Sequence, residues 1–222
     1  VSAGSRPLDV ARSISPRLAD DAIAAKVNGE LFDLTRSLET DSNLEILTTR
    51  NPEALTVYRH STAHLLAAAV LELFPDTRLG VGPATDTGFF YDFQRDQAFT
   101  PEDLEAIEAR MWDLQKRDLA YERKLTPKGE GLKKYAEMGE QLKCELIDEK
   151  ASDVFTEYTL GDKFIDFCRG PHVPSTARIK AFKRRRSWMP TSPRSRKPRN
   201  AITANSARNW TCSAFRNWPD PD

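Results

Sequence analysis

The sequence predicts an α+β chain of two unequal folded parts followed by a stretch of different character. Three observations predict it. Short strand patterns meet at Asn28-Gly29 within the first 49 residues. An unbroken helix pattern fills residues 53–74. Beyond it, strand and helix patterns alternate as far as residues 163–167, and every pattern stops near Lys183.

In the first part, Leu8, Val10, Ala11 and Ile14 predict a short helix over Pro7–Ile14. Ala22–Val27 reads as a strand, and Asn28-Gly29 after it is the strongest short hairpin signal. Residues 31–34 pair back, and Leu44–Thr48 is a third strand. One helix among short strands fits a ubiquitin-like β-grasp or a generic α+β lobe, and pattern alone leaves both open.

In the second part, Leu55, Tyr58, Leu65, Leu66, Ala69, Val70 and Leu73 give the long helix a broad apolar face, and Pro75 ends it. Leu79-Gly80-Val81-Gly82-Pro83 and Gly88-Phe89-Phe90-Tyr91-Asp92-Phe93 read as strand, turn, strand. Thr100-Pro101-Glu102-Asp103 is a helix start, with Thr as N-cap, Pro at the first position and acids in the first turn. Leu104, Ile107, Met111 and Leu114 continue that helix. A further helix is expected over residues 127–138, and strands over 142–147 and 163–167.

A length of 222 residues suits one or two domains with a real core. The 33 basic and 33 acidic residues balance overall, but not along the chain. From Lys183 onward there are ten Lys/Arg and two Asp/Glu, so residues 1–182 carry 23 basic and 31 acidic groups. No run of about 18 apolar residues is present, which excludes a membrane span. Val1-Ser2-Ala3-Gly4 has neither an initiator Met nor a signal-peptide core, so the chain is expected to begin inside something longer. Cys144, Cys168 and Cys212 are an odd, unclustered set, which points to a reducing, cytoplasmic setting.

All three histidines fall in two short motifs. His60 and His64 stand four apart on the long helix, which puts both imidazoles on one face. Cys168 and His172 stand four apart about a hundred residues later. Two chemistries fit. Four N/S ligands are the right number and type for a tetrahedral zinc. Alternatively, the histidines serve as acid, base or water-orienting groups with no metal. Ser61 occupies the place of the glutamate in a zincin helix, which argues against a metalloprotease. Lys143 reads as a functional ammonium or an edge charge of its strand. Asp166, two residues before Cys168, is expected on the same face as the cysteine.

The motifs Tyr58-Arg59-His60-Ser61-Thr62-Ala63-His64, Gly82-Pro83 with Gly88-Phe89-Phe90-Tyr91-Asp92, and Asp166-Phe167-Cys168-Arg169-Gly170-Pro171-His172-Val173-Pro174 resemble the N-terminal part of bacterial-type threonyl-tRNA synthetases. Residues 1–49, with Ala24-Ala25-Lys26-Val27-Asn28-Gly29-Glu30-Leu31, resemble the TGS domain of that family, a β-grasp. The resemblance implies a TGS domain at 1–49, an α/β two-layer editing domain of the threonyl/alanyl second additional type at 52–183, and an aberrant or disordered basic tail at 184–222. The implied activity is hydrolysis of serine wrongly esterified to threonine tRNA. One methyl separates serine from threonine and discriminates by only about 1–3 kcal/mol, so a second, hydrolytic site is needed.

By the same resemblance, His60 and Lys143 lie near the scissile ester and the terminal ribose. Asp166 holds the seryl ammonium, and His64, Cys168 and His172 complete the pocket wall. The implied partners are tRNA(Thr) and seryl-tRNA(Thr), with no membrane. Editing in the family needs no cofactor, whereas the related alanine-tRNA editing domains bind zinc through the same two motifs, so the metal stays unassigned. By the same resemblance, ATP, a further zinc and the homodimer contact belong to the family's class II core, which this chain is expected to lack.

After Lys183 the resemblance stops. The tail has no Leu, Val, Gly or Glu, and it holds three of the four Trp and five Pro. Codons for Arg208 to Ser213, begun two bases late, can spell Gln-Leu-Asp-Leu-Phe. From Pro198 to Asp222 the same shift can spell AQRDHRKLGPQLDLFSISELAGPG, which is what the family carries there. About thirty family residues are also missing after Lys183. A frame-changing deletion explains both facts, and the nucleotide sequence decides it. Three other readings remain: a free-standing editing factor, a non-catalytic tRNA-binding module using the basic tail, and a non-functional gene fragment.

Overall fold

The structure, a computed structural model, describes residues 1–183 and the backbone of 184 and 210–216. The first unit opens with helices α1 (Pro7–Ile14) and α2 (Pro16–Asp21), each led in by a proline at the start of its first turn. Strands β1 (Ala22–Val27), β2 (Glu30–Phe32) and β3 (Leu44–Thr48) form an antiparallel sheet in the order β2-β1-β3. The β1–β2 turn is the expected one. Asn28 and Gly29 both take positive φ, 51° and 93°, as a two-residue hairpin loop requires. Leu8, Ala11, Ala19, Ala22, Ala25 and Leu34 make a small core under this sheet. Ile23, Ala24 and Leu47, from the same strands, join the larger core of the second unit instead.

The second unit is organised around α3 (Pro52–Leu73). Its Ala54, Val57, Tyr58 and the unbroken run Ser61 to Val70 are buried, so little of its middle faces water. A helix apolar on all sides belongs inside a domain. One antiparallel sheet combines β4 (Arg78–Leu79), β5 (Ala84–Thr85) and β6 (Gly88–Gln94) with β10 (Lys183–Arg184) and β11 (Trp210–Arg216). Helix α4 (Pro101–Lys116) packs on α3. Thr100 accepts from the Asp103 amide while Asp103 accepts from the Thr100 amide, a complete capping box. A second antiparallel sheet, β7-β8-β9, consists of β7 (Tyr121–Pro127), β8 (Val154–Leu160) and β9 (Phe164–Phe167). Helices α5 (Lys128–Glu137) and α6 (Gln141–Lys150) fill the β7–β8 connection.

The expected strand at 142–147 is corrected to a helix. Leu142, Cys144 and Leu146 alternate like a strand, but the buried side chains of α6 are Lys143 and Ile147, one helical turn apart, and Leu142 is exposed. Lys143 is therefore a helix residue, not a strand residue. The strand at 31–34 ends at Phe32, and Asp33 and Leu34 turn inward as buried residues. In the basic tail, where composition shows no strand pattern, Trp210–Arg216 pairs its backbone with β6 on one side and β10 on the other. The remaining tail expectations lie outside the described residues.

Candidate functional site

Helix α3 delivers His60 and His64 on one face, and the turn after β9 delivers Cys168 and His172. The cysteine Sγ lies 3.3 Å from His60 Nε2 and 3.3 Å from His172 Nε2. Ring centroids are 4.9 Å apart for His60 and His64, and 4.2 Å for His64 and His172. One ligand atom from each of the four residues lies within 4.8 Å of all the others.

Ser61 fixes the orientation of His172. Its hydroxyl donates to the Val57 carbonyl at 2.8 Å and accepts from the Val173 amide at 3.0 Å. Its Oγ is also 3.0 Å from His172 Nδ1. With the single hydroxyl proton given to Val57, Nδ1 must be the donor, and the lone pair of Nε2 is left facing Cys168. Tyr121 stacks on the His172 ring and donates its phenol to the Ser61 carbonyl at 2.7 Å.

Beside the four ligand atoms lies a buried charged pair. Lys143 Nζ from α6 meets Asp166 Oδ1 from β9 at 2.5 Å, both side chains almost wholly shielded from solvent. The Tyr91 phenol from β6 donates to the other carboxylate oxygen at 2.5 Å. That oxygen is 3.7 Å from His64 Nε2, which sets the pair beside the histidines. All six residues singled out from the sequence thus meet in one place. Tyr91, Ser61 and Tyr121 were not singled out as site residues. The alternation of Phe89, Tyr91 and Phe93 marks Tyr91 as inward-facing, while Ser61 carries no signal beyond its place inside the His60–His64 motif.

Burial holds the histidines neutral. His60 is lowered to about 4 by burial, partly opposed by the Asp166 charge. His64 and His172 are pushed well below the usual histidine range, first by burial and then by the repulsion that protonated rings so close together would feel, with Lys143 adding to it at His64. Burial likewise raises the Cys168 thiol, helped by Asp166. A cavity of about 350 Å³ opens onto His60, His64, Lys143, Asp166 and Cys168, with Gly82 and Pro83 also in its lining.

The four-residue set fits a metal ion in donor type and in its two 3.3 Å sulfur–nitrogen separations, and its widest spacing of up to 4.8 Å would close on binding. Tetrahedral zinc bonds of about 2.0–2.3 Å place neighbouring N and S ligands roughly 3.3–3.8 Å apart. Three neutral imidazoles and one thiol are suitable donors, and the buried His64 Nδ1 has no hydrogen-bond partner.

Comparison with known proteins identifies the two domains. Residues 1–48 match the TGS domain, and residues 156–188 match the threonyl and alanyl tRNA synthetase second additional domain. The chain is 51% identical over 183 residues to a threonine–tRNA ligase of Pelobacter propionicus, covering 82% of this chain and 29% of that protein. It is 49% identical over 181 residues to the ligase of Citrifermentans bemidjiense, and 44% identical over 216 residues to that of Acidobacterium capsulatum. The class is thus a TGS domain joined to a second additional domain of the threonyl/alanyl type. Within that class, the chain fits the N-terminal part of a threonyl-tRNA synthetase. It spans about 29% of the length of the first of these relatives. Among the described residues, no helix is long and apolar enough to cross a membrane.

Proposed function

We propose that residues 52–183 form an aminoacyl-ester hydrolase that removes serine from tRNA(Thr). The observation that carries this reading is the buried Lys143–Asp166 pair facing the same cavity as His60. In the free site each charge neutralises the other. A seryl ammonium entering the cavity offers Asp166 a second cation, which frees the Lys143 ammonium to face charge developing on the ester oxygen. Tyr91 keeps the carboxylate oriented through this exchange.

His60, neutral at pH 7, is a weak base with a pKa near 4, so its part is to orient a water molecule through a ring nitrogen rather than to hold the proton. ATP-dependent charging with threonine belongs, in this reading, to the part of the relatives that the chain does not span.

The test is deacylation of Ser-tRNA(Thr) by the 222-residue chain, with Thr-tRNA(Thr) as control. Hydrolysis of the seryl ester, lost in Lys143→Ala, is expected. A wild-type rate no faster than spontaneous hydrolysis sinks the proposal.

A metal reading of the adjoining cluster is favoured by the two 3.3 Å sulfur–nitrogen separations. His60, His64, Cys168 and His172 would hold zinc, and four protein ligands would leave no open position, as in structural sites. The ion would then supply cross-linking of α3 to the turn after β9. Cobalt(II) added to the chain should give intense visible ligand-field bands, abolished in Cys168→Ser. A spectrum of hexaaquo cobalt alone would exclude the site.

A further inference from the structure

Asp33 lies in the N-terminal unit, one residue after β2, yet its hydrogen-bond partners belong to the site. It is 7% exposed. Oδ1 accepts from the backbone amide of His172 at 2.8 Å, and Oδ2 accepts from the Tyr158 phenol at 2.7 Å. Tyr158 stands on β8, with its ring edge-on to His172 at 4.5 Å. Its phenol oxygen also closes the space beside Gly170, where a Cβ would meet it at 2.1 Å. Gly170 has a φ of +68°, so both backbone conformation and space demand glycine there.

The Asp33 carboxylate therefore holds the segment between Cys168 and His172 directly at the His172 amide, and indirectly through Tyr158, which closes on Gly170. The amide of His172 is held by Asp33, and its ring nitrogen Nδ1 is held by Ser61. Two fixed points determine where Nε2 aims. The Gly170 amide, within the same segment, donates to Cys168 Sγ at 3.2 Å. Two further polar links between the units involve none of the site residues. Lys26 pairs with Glu53 at the surface, and the Arg178 guanidinium donates to the carbonyls of Ala19 and Asp20.

We propose that Asp33 is a positioning residue for the Cys168–His172 turn, so that the N-terminal unit is a working part of the site and not only an appended domain. Its effect on turnover rests on the ester-hydrolase reading above, but its effect on the imidazole of His172 does not. The test uses Asp33→Ala, Asp33→Asn and Tyr158→Phe in the 222-residue chain. Nitrogen shifts of the His172 ring are read by NMR at pH 7.5, beside steady-state kinetics on Ser-tRNA(Thr).

Asp33→Ala should lower kcat tenfold or more with KM within twofold, and should shift the His172 ring nitrogens toward a mixture of tautomers. Asp33→Asn keeps an acceptor for the His172 amide and presents an NH₂ group to the tyrosine oxygen. It should restore the wild-type ring pattern and at least half the rate. Tyr158→Phe should fall between the two. An unchanged ring pattern in Asp33→Ala overturns the proposal, as does Asp33→Asn behaving like alanine. If Asp33→Ala does not fold, a wild-type ring pattern in folded Tyr158→Phe overturns it. An inactive wild-type chain would remove the hydrolase reading, while the ring pattern would still decide the role of Asp33.

Discussion

Ser61 is a serine in the middle of a helix, where its hydroxyl usually turns back to the preceding carbonyl and does nothing more. Here it does that and also meets His172 and Val173. Ser61→Ala would strand a buried ring N–H and a buried amide, at about 1–3 kcal/mol each. Urea unfolding should show a loss of about 2 kcal/mol or more. Lys143→Met leaves Asp166 charged and shielded from water with only Tyr91 as donor, and should cost about 3–5 kcal/mol. Adding Asp166→Asn removes the stranded charge, so the double variant should be more stable than Lys143→Met alone. A double variant that is the less stable of the two would show that the pair is not the unit described. At this scale much was legible from residue type and spacing, because histidine and cysteine are rare here and fall in matched pairs. Asp33 was not legible, since an aspartate after a short strand looks like any turn residue.

The elements divide by how directly one face meets the core. Pro7–Ile14, Ala22–Val27 and Leu44–Thr48 form with the bounds their apolar patterns predict. The start of α4 was equally plain, because Thr100, Pro101 and Asp103 each satisfy a separate requirement of a helix end. Thr100→Ala should lower the melting free energy by about 1 kcal/mol, with Thr100→Ser close to wild type, as thermal unfolding would show. In contrast, α6 misleads because its inward position is held by a lysine. A buried ammonium removes one apolar mark from the helical face and leaves the exposed leucine to suggest alternation. Strand β7 was passed over for a related reason. Glu122, Arg123 and Lys124 crowd its middle, and only Tyr121 and Thr126 are buried.

Across the whole molecule, three neutral buried histidines tie stability to pH. Their folded pKa values lie below the unfolded value of about 6.5, so the unfolded chain binds more protons as pH falls. The stability they permit is intact above about pH 6.5 and declines toward pH 4. Each such group steepens the decline by about 1.4 kcal/mol per pH unit. Melting temperature should therefore fall steeply between pH 6.5 and 4.5, and the slope should lessen in His60→Gln. A melting temperature flat over that range would contradict the burial of these rings.

The end of the continuously described stretch is held in a defined way. The Tyr58 phenol donates to the Ala181 carbonyl at 3.0 Å and accepts from the Ala181 amide at 2.8 Å, while Phe182 stacks on Trp112 at 4.1 Å. Tension applied to the polypeptide beyond Arg184 meets the Lys183–Arg184 strand pairing first and this clasp next. The load then passes into α3 at Tyr58, about half a turn before His60. A pull from whatever follows residue 184 is thus transmitted along the helix that carries two of the site's three imidazoles.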